Sequence, residues 1–147
     1  MFLVDTNVIS AAAPSKGRIV PELAAWMDKA SPHLFLSAVT ASEVLSGIAR
    51  AERMGAARKA ADLREWWHAL EHLYADRILP FDLAAARLAG TILDNARAHA
   101  PGFEDIAIAA TARAHGLTVL TANEKHFVPL GVAWANPFKG LPVLPGV

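Results

Sequence analysis

The chain of 147 residues contains no cysteine and balances 14 basic against 14 acidic residues. This excludes a disulfide framework, a thiolate metal site and a thiol nucleophile, and it leaves no global field to attract nucleic acid, so such a contact needs a local patch. Hydrophobic residues make up 54%, yet no apolar run reaches the ~20 residues of a bilayer span and the start lacks the order of a signal peptide, which predicts a soluble cytoplasmic protein of about one domain with no membrane contact.

From the N-terminus, Phe2–Val4 is a short apolar strand that runs straight into Asp5, Thr6 and Asn7. Pro21 opens a helix over Pro21–Lys29, where its missing N–H is harmless. Leu34–Leu36 is the second strand, and helical spacing then marks Thr40–Met54 and Ala56–Tyr74, parted at Gly55. A strand over Ile78–Phe81 leads to a helix over Leu83–His99. Pro101-Gly102 divides that helix from one over Glu104–His115, which Gly116 closes. Strands over Thr118–Leu120 and Val132–Trp134 complete the set. From Pro137 to Val147 there are three prolines and two glycines, which predicts an irregular tail. Short apolar strands alternating with helices predict an α/β fold, with a mainly parallel sheet of about five strands covered by helices on both faces.

Three acids stand at element ends. Each has a local explanation: Asp5 can form an Asx-turn, Glu43 can close a capping box with Thr40, and Asp105 can favour the positive end of a helix dipole. In a parallel sheet, however, strand carboxyl ends and the following helix N-termini share one rim, so Asp5, Glu43 and Asp105 can converge. Carboxylates that close repel one another unless a cation holds them, and hard oxygen ligands suit Mg²⁺ or Mn²⁺. Such an ion polarises a phosphodiester and activates water. Thr6 and Asn7 can orient the first acid or hold water, Thr121 can add a hydroxyl from the same rim, and plain turn chemistry is the alternative for all three.

Four stretches, LVDTNVIS from Leu3, LSAVTASEVLSGI from Leu36, EDIAIAATARAHGLTVLTANEKHF from Glu104 and GVAWANPF from Gly131, resemble in order and spacing the PIN-domain ribonucleases of the VapC type, the FitB-like subgroup among them. The resemblance implies a three-layer α/β/α fold over residues 1–138, with 139–147 as an irregular tail. It also implies a metal-dependent endoribonuclease acting as the toxin of a toxin–antitoxin pair, a VapB-like antitoxin as partner, and a homodimer. By motif match, Asp5, Glu43 and Asp105 take the family's metal-binding positions. The fourth acidic position departs from the pattern, because Asn123 and His126 stand where the family commonly carries acids. Asn123 can offer a neutral oxygen or hold a water, and His126 a ring nitrogen as ligand or proton donor. Glu124 and Glu104 are neighbouring acids able to compensate, or ordinary surface acids.

Gly47 and Arg50 follow Glu43 on one helical face, which offers RNA an approach that Arg53 extends. Residues 50–65 hold five basic and three acidic side chains, so a solvated helix face explains them as well as a phosphate track does. Trp66 and Trp67 point about 100° apart on a helix, so they are not expected to enter the same core, and one is free to face a partner segment beside Leu63, Leu70 and Leu73. His68 and His72 are four apart but lack the Glu that a zinc-protease motif places after the first His. A phosphatase with Asp5 as nucleophile would need an acid where Asn7 stands, and no G-x-S-x-G elbow or Gly-rich Lys-Ser/Thr loop is present. The alternative from another class is a PIN-like RNA- or protein-binding module that has lost cleavage.

Overall fold

The strands align in parallel in the computed structural model, which describes residues 1–14, 17 and 19–146. They are β1 (Phe2–Val4), β2 (Leu34–Ser37), β3 (Ile78–Leu79), β4 (Thr118–Leu120) and β5 (Trp134–Ala135), in the order β3-β2-β1-β4-β5. Phe2 pairs with Leu34 on one side and Thr118 on the other, which places β1 at the centre. Its three residues are buried and alternate between two cores. Phe2 and Val4 join Leu34, Leu36 and Leu120 in one cluster, while Leu3 joins Val119 in the other. Both faces of the sheet are therefore covered, as all-parallel pairing requires.

Helices α1 (Thr6–Ser10), α2 (Pro21–Ala30), α3 (Ala38–Arg53) and α4 (Ala57–Leu73) contribute Val8, Trp26, Ile48 and Trp67 to the first cluster. Helices α5 (Leu83–Asn95) and α6 (Phe103–Ala114) contribute Ile92 and Ile108 to the second, with Phe127 from α7 (Glu124–Phe127). The result is the three-layer α/β/α arrangement that the alternation of elements predicts. No helix among the described residues is long and apolar enough to cross a membrane.

Several boundaries differ from the sequence reading, each for a local reason. Helix α3 starts at Ala38 because the Ser37 side chain accepts from the Val39 N–H at 3.0 Å. That makes Ser37 the N-cap and removes Thr40 from the capping role. Strand β3 ends at Leu79 because Pro80 has no N–H to continue a ladder. Helix α5 stops at Asn95, and Arg97–His99 tightens into a 3₁₀ turn ahead of Pro101. Gly116, at φ 65°, closes α6 with the Leu117 N–H on Ala112 O at 2.8 Å and the Gly116 N–H on Arg113 O at 3.3 Å. The short helices α1 and α7 have too few residues for a periodic signal.

Trp66 and Trp67 correct another expectation. Trp67 is buried and Trp66 packs half-buried on the same cluster, their ring centroids 6.3 Å apart. One core takes both because α4 packs along α3, whose Val44, Ile48 and Ala51 belong to the same cluster. Trp26 donates its indole N–H to the Pro142 carbonyl at 2.9 Å, and Leu144 is buried in the first cluster, so the segment after Pro137 is tied down without regular structure.

Phe127 is fully buried and anchors α7 beside the rim. Phe127→Ala should cost about 3–5 kcal/mol, read as a lower midpoint of urea unfolding with an unchanged slope.

Candidate active site

The strand order reverses between β1 and β4, where α/β sheets open a crevice at their carboxyl ends. Asp5 stands at that point. Its N–H continues the β1–β4 ladder to Leu120 O at 2.9 Å, and its side chain, only 3% exposed, caps α1 by accepting from the Thr6 N–H at 2.8 Å. The other carboxylate oxygen accepts from Thr121 Oγ1 at 2.7 Å and Asn7 Nδ2 at 2.6 Å. Asn7 Oδ1 accepts in turn from the Ala122 N–H at 2.8 Å, and Thr121 Oγ1 from the Asn123 N–H at 3.0 Å. This network fixes the loop after β4 onto the start of α1.

Thr6 links the second acid to the first. Its hydroxyl donates to Glu43 Oε1 at 2.8 Å and lies 3.2 Å from the buried Thr40 Oγ1. Glu43 is therefore on the second turn of α3 and faces the rim, not the helix end. Asp105, on the first turn of α6, lies 2.9 Å through Oδ2 from His126 Nδ1. Burial pushes the Asp5 carboxyl above its usual range, the nearby Asp105 charge adds to this, and the bonds from Thr121, Thr6 and Asn7 oppose it. Glu43 is raised as well, first by burial and then by the charges of Asp5, Glu104 and Asp105, against the bond from Thr6. The acids predicted from sequence are thus brought within electrostatic reach of one another, and Glu104 joins them.

Among the described residues neither Asp5 nor Glu43 has an ion-pair partner, and no three acidic or imidazole side chains form a closed metal cage. What the rim offers is a set of hard oxygen donors under mutual repulsion, partly withdrawn from water. A divalent cation with its own waters fits that donor set, because it offsets the repulsion without requiring every ligand from the protein.

The remaining candidates fall in different places. The two hydrogen bonds found for Asn123 use its backbone, and the residue is exposed. Glu124 turns to the C-terminal segment, accepting from Asn136 Nδ2 at 3.0 Å and pairing with Lys139. Arg50 and Arg53 are exposed on the last turns of α3, outside hydrogen-bond contact with the acids. Between them and the rim lies a groove of about 190 Å³ lined by Thr6, Glu43, Gly47, Lys59, Leu63 and Trp66. Thr40 is the site residue that sequence reasoning misplaced, since its spacing to Glu43 matches a cap. His68 and His72 are exposed on α4.

Residues 2–129 match the PIN domain. The chain is similar to Toxin FitB of Neisseria gonorrhoeae, 34% identical over 94% of this chain and 99% of that protein. It is also similar to VapC ribonuclease Y4jK of Sinorhizobium fredii, 36% identical over 95% of this chain and 99% of the relative. Among solved structures, that of FitAcB from Neisseria gonorrhoeae superposes with a TM-score of 0.80 at 35% identity, covering 94% of this chain and 99% of the other.

The raised carboxyls fix the sign of a pH effect. A folded-state value above the ordinary 4.5 of glutamate means that ionising Glu43 costs stability above that folded value and nothing below the ordinary one. Glu43→Gln keeps the acceptor for Thr6 and removes the charge. Metal-free Glu43→Gln should therefore melt at a higher temperature than metal-free wild type at pH 7–8, roughly neutral to slightly basic, with the gain shrinking as pH falls toward 4.5. Thermal melts in a chelator across that range measure the difference.

Proposed function

From the premise that the chain belongs to the PIN-domain family, we propose that it is a metal-dependent endoribonuclease, the cytoplasmic toxin of a type II toxin–antitoxin pair. The observation that carries this reading is the buried Asp5 carboxylate at the strand-order reversal, fixed by three donors and facing two further acids, with no cation against it among the described residues. Asp5, Glu43 and Asp105 would hold Mg²⁺ or Mn²⁺. When bound, such an ion supplies neutralisation of the rim and polarisation of the phosphate and of water.

The protein's own part is preorganisation. Thr121, Asn7 and the Thr6 N–H hold Asp5 in one rotamer, and the Thr6 hydroxyl does the same for Glu43, so the donors need not reorganise when RNA arrives. Water attacks phosphorus in line, a new O–P bond forms, the P–O3′ bond breaks, and the departing oxygen takes up a proton. The products are a 3′-hydroxyl and a 5′-phosphate. His126, next to Asp105, has a ring nitrogen within the same region to hold or move a proton.

An antitoxin partner and a homodimer belong to the same reading. Support for the antitoxin comes from the kinship with FitB and from the groove of Leu63 and Trp66, which abuts Glu43 and offers an apolar seat for a helical segment. Arg50 and Arg53 remain candidates for contacts to RNA outside the rim. The second reading, a binding module without cleavage, draws on Asn123 and His126, which leave the rim one acid short of the pattern.

Purified protein freed of antitoxin should cleave total cellular RNA in Mn²⁺ or Mg²⁺ and stop in EDTA. Asp5→Asn should lower the rate by about 10² or more. Cleavage that survives both treatments would refute the mechanism, and RNA binding with no cleavage under any metal would favour the second reading. In a separate measurement, saturating Mn²⁺ at about 100 times its dissociation constant should stabilise wild type by about 2.7 kcal/mol and Asp5→Asn far less.

A further inference from the structure

Next to Asp105 the surface opens into a cavity of about 250 Å³ between the turn 99–102 and α7, walled by His99, Gly102, Lys125, His126 and Pro129. Three of these side chains are basic and exposed. Among the described residues His99 and Lys125 have no ion-pair or side-chain hydrogen-bond partner, while His126 is tied to Asp105 through Nδ1 and leaves Nε2 without one. The turn has an unusual form. Ala100, just before Pro101, adopts φ 44° and ψ 55°, a left-handed conformation disfavoured for a residue with a Cβ.

The charge balance gives this cavity its meaning. Polyanionic RNA must approach a rim that already gathers Asp5, Glu43, Glu104 and Asp105, and the chain as a whole has zero net charge to assist it. Cations flanking the rim must do this locally. Lys125 does so at the Asp105 end, with His99 beside it as a ring N–H donor. The cavity is smaller than the roughly 300–1,000 Å³ of pockets that enclose a drug-sized ligand. Its basic side chains offer N–H donors beside the Asp105 carboxylate on the rim side, and it holds no aromatic ring beyond the two imidazoles, which suits a sugar–phosphate unit better than a stacked base.

We propose that this cavity is a subsite for one backbone phosphate of single-stranded RNA, flanking the phosphate at the acidic rim, with Lys125 and His99 as its donors and His126 as the wall shared with the rim. The proposal rests on the nuclease reading for its place in the reaction, and on the unpaired basic side chains for its chemistry.

The test follows binding of a fluorescent single-stranded RNA by anisotropy, with the full chain carrying Asp5→Asn in Mg²⁺, across a series of salt concentrations. Adding Lys125→Ala should weaken binding roughly three- to tenfold and lower the salt slope by about 0.7, the value for one single-strand phosphate contact. His99→Ala should weaken binding to a smaller extent, and Lys29→Ala, on α2 far from the rim, should change neither. In the cleaving protein, Lys125→Ala should raise KM with kcat unchanged. Unchanged affinity and slope in both Lys125→Ala and His99→Ala would overturn the subsite, as would displacement of the RNA by an equal concentration of inorganic phosphate, which would mark a pocket for free anion. The two readings separate cleanly. Asp5-dependent cleavage with unaltered affinity and slope in both Lys125→Ala and His99→Ala removes the subsite alone, and a weakened Lys125→Ala in a protein that cleaves no RNA removes the nuclease alone.

Discussion

The bond from Thr121 to Asp5 joins the ends of the two strands at which the sheet reverses its order, and much of the rim depends on it. Asp5 is almost wholly withdrawn from water, where an ionised carboxylate is costly unless donors surround it. Thr121, Asn7 and the Thr6 N–H supply those donors from three directions. Each donor has a second duty. Thr6 reaches Glu43, Asn7 holds the Ala122 N–H, and Thr121 holds the Asn123 N–H. Fixing one charge therefore fixes the start of α1, the facing turn of α3 and the loop after β4.

The donors hold Asp5 in place without fully offsetting its burial, since its carboxyl remains above the usual range. Glu43 is in the same condition, and part of the cause is Asp5 itself. Like charges gathered on one rim oppose folding, so the two apolar clusters on the faces of the sheet must outweigh them. Only the folded chain assembles these acids, so a divalent cation held there, as proposed, would bind it in preference to the unfolded chain.

The fold was legible in the sequence where the hydrophobic pattern is local and repetitive. Phe2–Val4 and Thr118–Leu120 are apolar runs between turn residues, and parallel pairing follows once helices intervene. The convergence of Asp5, Glu43 and Asp105 followed from topology, since strand carboxyl ends share a rim whatever their separation in sequence. What stayed hidden was set by non-local contact or by close local competition. Ser37 and Thr40 are both good caps three residues apart, and only the backbone of α3 decides between them. Trp66 enters the same core as Trp67 because of how α4 lies on α3, which no helical wheel of α4 contains. The link from Trp26 to Pro142 joins opposite ends of the chain, so composition alone could describe the tail as irregular but could not anchor it. Glu124 reads as a spare acid for the rim, and its engagement by Asn136 and Lys139 depends on that anchored tail.

His126 changes the character of the rim at its far end. A carboxylate there would add to the repulsion on Asp105, whereas the imidazole places its Nδ1 2.9 Å from Asp105 Oδ2. The count of fixed negative charge then stays at Asp5, Glu43 and Asp105, with Glu104 exposed at the edge. The imidazole also turns the boundary of the acidic site into the wall of a basic one. Asp105 lines the cavity that holds His99 and Lys125, so the single contact between Asp105 and His126 separates the acidic rim from the basic wall. An acid at position 126 would close that boundary. The departure from the family pattern therefore has a physical direction: it leaves the rim with less fixed negative charge to offset and gives its Asp105 end a basic wall.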